Sequence, residues 1–345
     1  MIQTQEKWSP SSPAFPHRDR FDAVVVFNRK VCREHFLLRV RVSKAFPATE
    51  PGQFIQLGCR EPDAAMDFDA LFGHAIEWQP GEVPKLTQPE LCGRLAMLRR
   101  PFSLAGRGDD EQGIGGTWLE VIHRVVGVGT AWLEQLKEGD KVDLIGPLGN
   151  TFALPAGKSL GLLVGGGVGL PPMFYVAEAM RAKKWDGVGF VGAMTRDLLA
   201  VTFDETVQPD AKGEARRSVK EFARYDYPAV ITTDDGSHGL QGRITAGVEH
   251  YLKSLTPQDA ARAVVFTCGP EPMMHAVAKL AKSHGIDCQV CLEQAMACGM
   301  ATCQSCIVKI EDTKKPHGKT EHGRPWRYKL ACTDGPVFEA EQVVW

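Results

Sequence analysis

Residues 159–169, SLGLLVGGGVG, followed from residue 171 by PPMFYVAEAMRAKK, decide the fold. The first run is apolar over the length of a strand and ends in Gly165, Gly166, Gly167 and Gly169. The second carries apolar residues at helical spacing. A buried strand that enters a glycine-rich turn and leaves as a helix is half of a βαβ unit. Pro171 and Pro172 stand where a first helical turn tolerates proline. The alternation continues toward the C-terminus. VGFVGAM (188–194), AVITTDDGS (229–237) and AVVFTCGP (263–270) read as strands, and ITAGVEHYLKSL (244–255) and EPMMHAVAKLAKSHG (271–285) read as helices. The pattern predicts a doubly wound, mostly parallel nucleotide-binding α/β domain over residues 156–285.

Toward the N-terminus the rhythm differs. DAVVVFNRKV, HFLLRVRVS, GQFIQLGCR, LRRPFSLAG, TWLEVIHRVV and DKVDLIGPLG are short β-rich runs punctuated by Gly and Pro, with one helical stretch, TAWLEQLKEGD, before the last. Residues 21–155 therefore read as an antiparallel β-barrel domain. Residues 61–97 interrupt it as a polar, turn-rich insertion. Residues 1–20, with three prolines and three serines, read as a tail.

After residue 286, IDCQVCLEQ reads as one more strand. Beyond it Cys298, Cys303, Cys306 and Cys332 stand as C-x4-C-x2-C, then 25 residues, then C. This is the plant-type [2Fe–2S] ligand spacing. Gly299, Ala301, Thr302 and Ser305 let a loop wrap an inorganic cluster whose sulfurs need main-chain N–H donors. The alternative is a zinc site, which favours two C-x2-C knuckles where this motif has one. Cys288 and Cys291 form another C-x2-C, but within a strand-like run, and read as buried thiols. Residues 286–345 thus make a small C-terminal [2Fe–2S] domain, and the whole chain reads as a multidomain β plus α/β protein.

The 345 residues exceed one ordinary core. Lys and Arg number 40 against 42 Asp and Glu, a net charge of −2 that argues against a nucleic-acid partner. No run approaches the ~18 apolar residues of a membrane span, and the first twenty residues lack an apolar stretch of signal-peptide length. A cytoplasmic protein with no membrane partner is the expectation.

Three strand ends of the α/β domain are polar or glycine-rich. They are the Gly165 to Gly169 turn, Asp234 with Asp235 and Ser237, and Cys268 with Gly269 and Pro270. Ligands of open α/β sheets bind outside the carboxyl ends of the strands, so these ends predict a nucleotide crevice. Cys268 is either a neighbour of the reacting groups or a buried thiol. In the barrel, Arg100, Pro101, Phe102 and Ser103 combine a cation, a hydroxyl and an aromatic suited to a phosphate and a planar ring. Ile122, His123 and Arg124 precede Gly129 and Thr130 at a helix start, a second place for an anion. Arg99 and Arg124 read equally well as solvated strand residues.

Taken together, RPFS, VGVGT, LLVGGGVG, TTDDGS, TCGPEPMM, CGMATCQSC and CTDGPVF resemble the electron-transfer subunit of class B dihydroorotate dehydrogenase, within the ferredoxin reductase superfamily. The motifs follow the family's order from about Phe21 to Trp345. The resemblance implies that Arg100, Pro101, Phe102, Ser103, Ile122, His123, Arg124, Gly129 and Thr130 bind FAD, and that the four motif cysteines ligate the cluster. It further implies NAD as substrate and an FMN-containing catalytic subunit as partner in a hetero-oligomer. Electrons would pass from that partner through cluster and FAD to NAD+, in pyrimidine biosynthesis. Arg196 would favour a 2′-phosphate, so NAD rests on the resemblance. The alternatives are a NAD(P)H-oxidising reductase feeding a hydrogenase, oxygenase or glutamate-synthase-like partner, and a non-catalytic redox sensor. The tail, the insertion and an extended stretch around residues 204–224 have no obvious counterpart in the family. The charged loop between Cys306 and Cys332, with Lys309, Lys314, Lys315, Lys319, Arg324, Arg327, Lys329 and Trp326, is the expected docking surface.

Overall fold

The computed structural model describes residues 18–42, 45–62, 98–109, 116–311 and 326–345. The tail up to residue 17, most of the 61–97 insertion, and Lys314, Lys315, Lys319 and Arg324 of the charged loop lie outside the described residues.

The N-terminal sheet is built from β1 (Asp19–Cys32), β2 (His35–Val42), β3 (Phe54–Leu57), β4 (Arg100–Ser103), β5 (Gly106–Asp109), β6 (Thr117–Arg124) and β7 (Lys141–Leu148). Its order is β4-β3-β7-β1-β2-β6-β5, and every pairing is antiparallel. The two edge strands are consecutive in the chain and separated only by Leu104 and Ala105, so the sheet must curl until its edges are neighbours, as a barrel does. Side chains alternate as a half-buried strand requires. Phe21, Ala23 and Val25 from β1, Leu38, Val40 and Val42 from β2, and Leu119 and Val121 from β6 fill the interior. The helix α1 (Val128–Glu134) follows β6 and sets Leu133 into the same core.

The second sheet comprises β8 (Leu160–Gly166), β9 (Asp186–Ala193), β10 (Ala229–Thr233), β11 (Leu240–Gln241), β12 (Ala263–Cys268), β13 (Asp287–Cys291) and β16 (Val337–Glu339), in the order β11-β10-β9-β8-β12-β13-β16. All pairs are parallel except β13 with β16. Both central strands, β8 and β12, are buried along their whole length, because helices cover both faces. The helix α2 (Leu170–Ala182) packs on one face together with Val219 and Phe222. The extended stretch around residues 204–224 is therefore part of that layer. The helices α4 (Ile244–Ser254) and α6 (Glu271–Ser283) cover the other face through Val248, Leu252, Met274 and Val277. The short α3 (Lys220–Ala223) precedes α4, and the short α5 (Pro257–Arg262) lies between α4 and α6.

β13, which the sequence groups with the cluster segment, is a strand of this sheet and carries Cys288 and Cys291 as buried thiols. The remaining strands, β14 (Ile307–Glu311) and β15 (Trp326–Leu330), pair as an antiparallel ribbon. The barrel and the C-terminal segment are joined at Asn150. Its side-chain amide donates to Asp334 O (3.0 Å) and Val337 O (2.8 Å), and its carbonyl accepts from Val337 N (2.9 Å). Among the described residues, no helix is long and apolar enough to cross a membrane.

Candidate functional site

Barrel and sheet meet around a cavity of about 690 Å³. Arg100, Pro101, Phe102 and Ser103 from β4, Ile122, His123 and Arg124 from β6, Gly129 and Thr130 from α1, and Cys268 at the end of β12 all line it. The structure thus brings together residues that lie as much as 168 positions apart in the chain.

The three arginines of this region differ in what holds them. Arg99 pairs with the buried Asp143, which Arg20 also reaches at 3.0 Å. Arg124 pairs with Glu34 at 2.8 Å. The Arg100 guanidinium instead donates to two neutral carbonyls, Leu98 O (3.0 Å) and Arg99 O (3.5 Å), so among the described residues its charge remains available to an anionic ligand.

His123 is fully buried, and neither ring nitrogen has a partner among the described residues. Burial, then the nearby His35, hold its pKa down at about 4, so the ring is neutral at pH 7, with one donor and one acceptor unmet. Phe36 stacks on it at 5.6 Å and Phe102 meets it edge-on at 6.3 Å. Thr130 is already committed: its hydroxyl accepts from Val126 N (2.9 Å) and Gly127 N (3.2 Å) and donates to Gly127 O. The hydroxyl thus fixes the turn that holds Gly129 and Thr130 on the cavity wall.

Cys268 lies in register with Gly165 on one side and Cys291 on the other. Hydrogen bonding with Cys291, then burial, push its thiol well above the ordinary value, leaving a neutral, polarizable group on the cavity wall. The glycine-rich turn serves two ends. A Cβ at Gly169 would run into the Cys268 carbonyl, so this glycine permits the turn to cross the end of β12. Gly167, at φ +55°, has open space where a side chain would be, so backbone is presented to the crevice.

Asp234, Asp235, Gly269 and Pro270 are not cavity walls. Asp235 and Ser237 line a second hollow of about 540 Å³ at the ends of β9 and β10, with Thr195, Arg196 and Phe203. Ser237 Oγ accepts from Arg196 N (2.8 Å), and Asp235 accepts from Ser237 N (3.0 Å). The Arg196 guanidinium lies 3.6 Å from Glu205. The walls that the sequence reading passed over are Phe54, Glu271 and the run from Cys291 to Met296. The sequence offers no signal for that run, because only the strand order shows that the chain leaving β13 passes the cavity on its way to the cysteine loop.

That loop places its cysteines in two pairs. Cys298 Sγ accepts from Met300 N (3.3 Å) and Cys303 N (3.4 Å). The Ser305 hydroxyl, and then backbone amides, hold the Cys303 thiol down to about 6. Cys306 and Cys332 flank the ribbon, whose base is closed by Ala331 N donating to Cys306 O (2.9 Å). A separation of 25 residues in the chain thereby becomes a contact between two buried thiols, and burial pushes Cys332 up to about 11. Left-handed backbone at Gly299 (φ +69°), Ala301 (+67°) and Gln304 (+54°) turns the loop tightly. The thiols stand as two pairs, with no group of three or more ligands closed among the described residues; their spacing and the amides directed at the Cys298 sulfur suit a two-iron, two-sulfide centre. The cavity, with one available guanidinium, an unpartnered neutral imidazole, aromatic walls and a soft thiol, fits a flavin nucleotide.

A family model for the iron–sulfur cluster binding domain of dihydroorotate dehydrogenase B matches residues 293–344. The electron transfer subunit of dihydroorotate dehydrogenase B (NAD(+)) from Caldanaerobacter subterraneus subsp. tengcongensis is 32% identical over 255 residues, covering 74% of this chain and 84% of that protein. Its counterpart from Bacillus caldolyticus is 37% identical over 251 residues, covering 72% and 80%. The solved structure of an NADH-dependent reduced ferredoxin-NADP oxidoreductase superposes with a TM-score of 0.64 at 24% identity, covering 94% of this chain and 90% of that one, a likeness of fold. Barrel, doubly wound sheet and cysteine loop define a ferredoxin-reductase-like fold with a C-terminal iron–sulfur domain. Within that class, the chain belongs to the family of electron transfer subunits of NAD-dependent dihydroorotate dehydrogenase B. It is an oxidoreductase subunit with an iron–sulfur cluster binding domain.

Proposed function

We propose that this chain is one half of an enzyme, taking electrons from a dihydroorotate-oxidising, FMN-containing partner and delivering them to NAD+. The supporting observation is that one run of chain, from Cys291 to Met296, both walls the flavin-sized cavity and leads directly into the cysteine loop. When bound, the flavin supplies exchange between hydride and single electrons.

The chain's own residues then have distinct tasks. Arg100 binds the anionic part of the flavin nucleotide, and the neutral His123 meets a ring edge without adding charge. Phe54 and Phe102 exclude water. Cys268 sits where the crevice from Gly167 enters the cavity, the position for a nicotinamide to meet the flavin. The hollow at Asp235, Ser237 and Arg196 would take the far end of the dinucleotide. With Glu205 partly neutralising it, Arg196 does not discriminate for a 2′-phosphate, in keeping with NAD.

Docking is assigned to the face around the cysteine loop. Cys303 is exposed, and Met300 (51%), Ile307 (44%) and Tyr328 (57%) are large apolar or aromatic side chains left half in water beside it. Trp326 packs edge-on against Tyr328 at 5.0 Å, and Lys309 lies over its ring. An apolar centre with basic residues around it suits a protein interface. The test is an assay of dihydroorotate:NAD+ oxidoreduction on the isolated chain and on the complex recovered by pull-down. The isolated chain should reduce an artificial acceptor with NADH yet leave dihydroorotate untouched, and the complex should do both. Dihydroorotate oxidation by the isolated chain would overturn the half-enzyme reading. A complex active with NADH but inactive toward dihydroorotate would point to another partner.

A further inference from the structure

β3 runs between the two redox sites. Its side chains alternate in the expected way: Ile55 and Leu57 enter the barrel core, while Phe54 and Gln56 face the other way. Phe54 lines the flavin cavity and shares a hydrophobic cluster with Cys306 and Cys332. Gln56, two residues on, pairs across the sheet with Pro101 of the cavity wall. Its side chain is completely buried, and neither Nε2 nor Oε1 has a hydrogen-bond partner among the described residues.

The neighbour of that amide is the cysteine loop. An ideal Cβ at Gly299 would lie 3.0 Å from Gln56 Cδ and Oε1 and 3.2 Å from Nε2. Gly299 follows the first ligand cysteine, and its lack of a side chain lets the Gln56 amide lie directly against the loop. A fully buried primary amide with no partner leaves its hydrogen bonds unmet, and that desolvation opposes folding. Such a group persists where a ligand satisfies it.

We propose that Gln56 is a hydrogen-bond donor to the sulfur of the iron–sulfur centre, reaching it from the barrel, and that it sets the centre's reduction potential. An amide presents N–H only from its nitrogen, and a half-turn exchanges nitrogen and oxygen at little steric cost, so the N–H can be turned toward sulfur. The centre gains one electron on reduction and its sulfurs become more negative, so a donor stabilises the reduced form and raises the potential. Gln56 itself takes neither electron nor proton. It is a positioning and tuning residue that lies outside the C-x4-C-x2-C motif.

The inference rests on the iron–sulfur reading of the cysteines, and its test separates the two. Holoprotein carrying Gln56→Leu, and the isosteric Gln56→Glu, would be analysed for iron and sulfide and then titrated potentiometrically with the reduced centre followed by EPR. Both should keep two irons and two sulfides per chain. Gln56→Leu should shift the reduction equilibrium about tenfold toward the oxidised form, which is about 59 mV more negative for a one-electron couple. Gln56→Glu should shift it in the same direction, because it exchanges the donor for an anion. Potentials unchanged in loaded variants would overturn the assignment and leave Gln56 satisfied by a buried water. If Gln56→Leu fails to load, Gln56→Glu carries the same decision. Zinc without sulfide in the unsubstituted chain would sink the iron–sulfur reading itself.

Discussion

The two redox sites of this chain are built in opposite ways. The cysteine loop draws three of its four ligands from nine consecutive residues, 298–306, and folds them with its own left-handed turns and amide-to-sulfur bonds. The cavity beside it takes walls from residue 54 to residue 336, held in place by the barrel core and both faces of the parallel sheet. A site made of a few covalent ligands should fail at once when one is removed. A site made of many weak contacts on a rigid frame should weaken by degrees.

The largest effect is expected at Cys303. Replacing it with Ser should remove iron and sulfide from the purified chain while most of the flavin stays bound, as shown by metal, sulfide and flavin analysis. Parallel loss of flavin would show that cavity and loop stand or fall together. Next comes Arg100→Ala, which removes the cavity's available cation. Hydrogen bonds to charged groups contribute about 1.5–3 kcal/mol, so FAD affinity should fall roughly tenfold to a hundredfold in equilibrium dialysis, with cluster content intact. The flavin released by heat should be FAD; FMN would contradict the long cavity running from Arg100 to α1.

Cys268→Ser should have a smaller effect. Sulfur contacts with rings are worth about 0.3–1.5 kcal/mol, so single-turnover flavin reduction by NADH should slow roughly two- to tenfold in stopped flow, with iron and sulfide unchanged. An unaltered rate would reduce Cys268 to a packing residue. The last effect, on stability rather than on the redox sites, concerns His123. Its native pKa of about 4 lies below the ordinary 6.5, so on acidification the unfolded chain takes the proton first. The stability it contributes is therefore present above pH 6.5 and is lost as the pH falls from 6.5 to 4. By pH 5.5 the loss amounts to about 1.4 kcal/mol. Urea midpoints at pH 7.5 and 5.5 should differ less in His123→Phe than in the unsubstituted chain, and an equal difference would place the titration elsewhere.

The same contrast explains what was legible in the sequence. Cysteine spacing is local and chemically explicit, and the strand, glycine turn and helix around Gly165 repeat a period that any reader can count. The barrel was legible as short strands, and its closure needed only Leu104 and Ala105 between two edges. Contributions that depend on which strand lies beside which were not legible. Nothing in IDCQVCLEQ marks it as the last parallel strand of the sheet, or shows that the residues after Cys291 wall a cavity. The hydroxyl of Thr130 braces its own turn, because Val126 and Gly127 offer it amides at close range, and that local bond has no signature in the sequence. Asp235 was read into one crevice with Cys268. The strand order places it three strands away, at the end of β10, which is the separation a dinucleotide has to span. Gln56 gave no signal at all, since a polar residue at an alternating position in GQFIQLGCR looks like any solvent-facing strand residue.

The most direct test of the central claim, that cavity and cysteine loop form one electron path within this chain, is anaerobic addition of excess NADH to the isolated holoprotein with the iron–sulfur centre followed by EPR. The reduced-centre signal should appear without any partner present, disappear in protein stripped of FAD and return when FAD is restored. A centre that stays oxidised in the intact chain, or one that NADH reduces equally well without flavin, would contradict it.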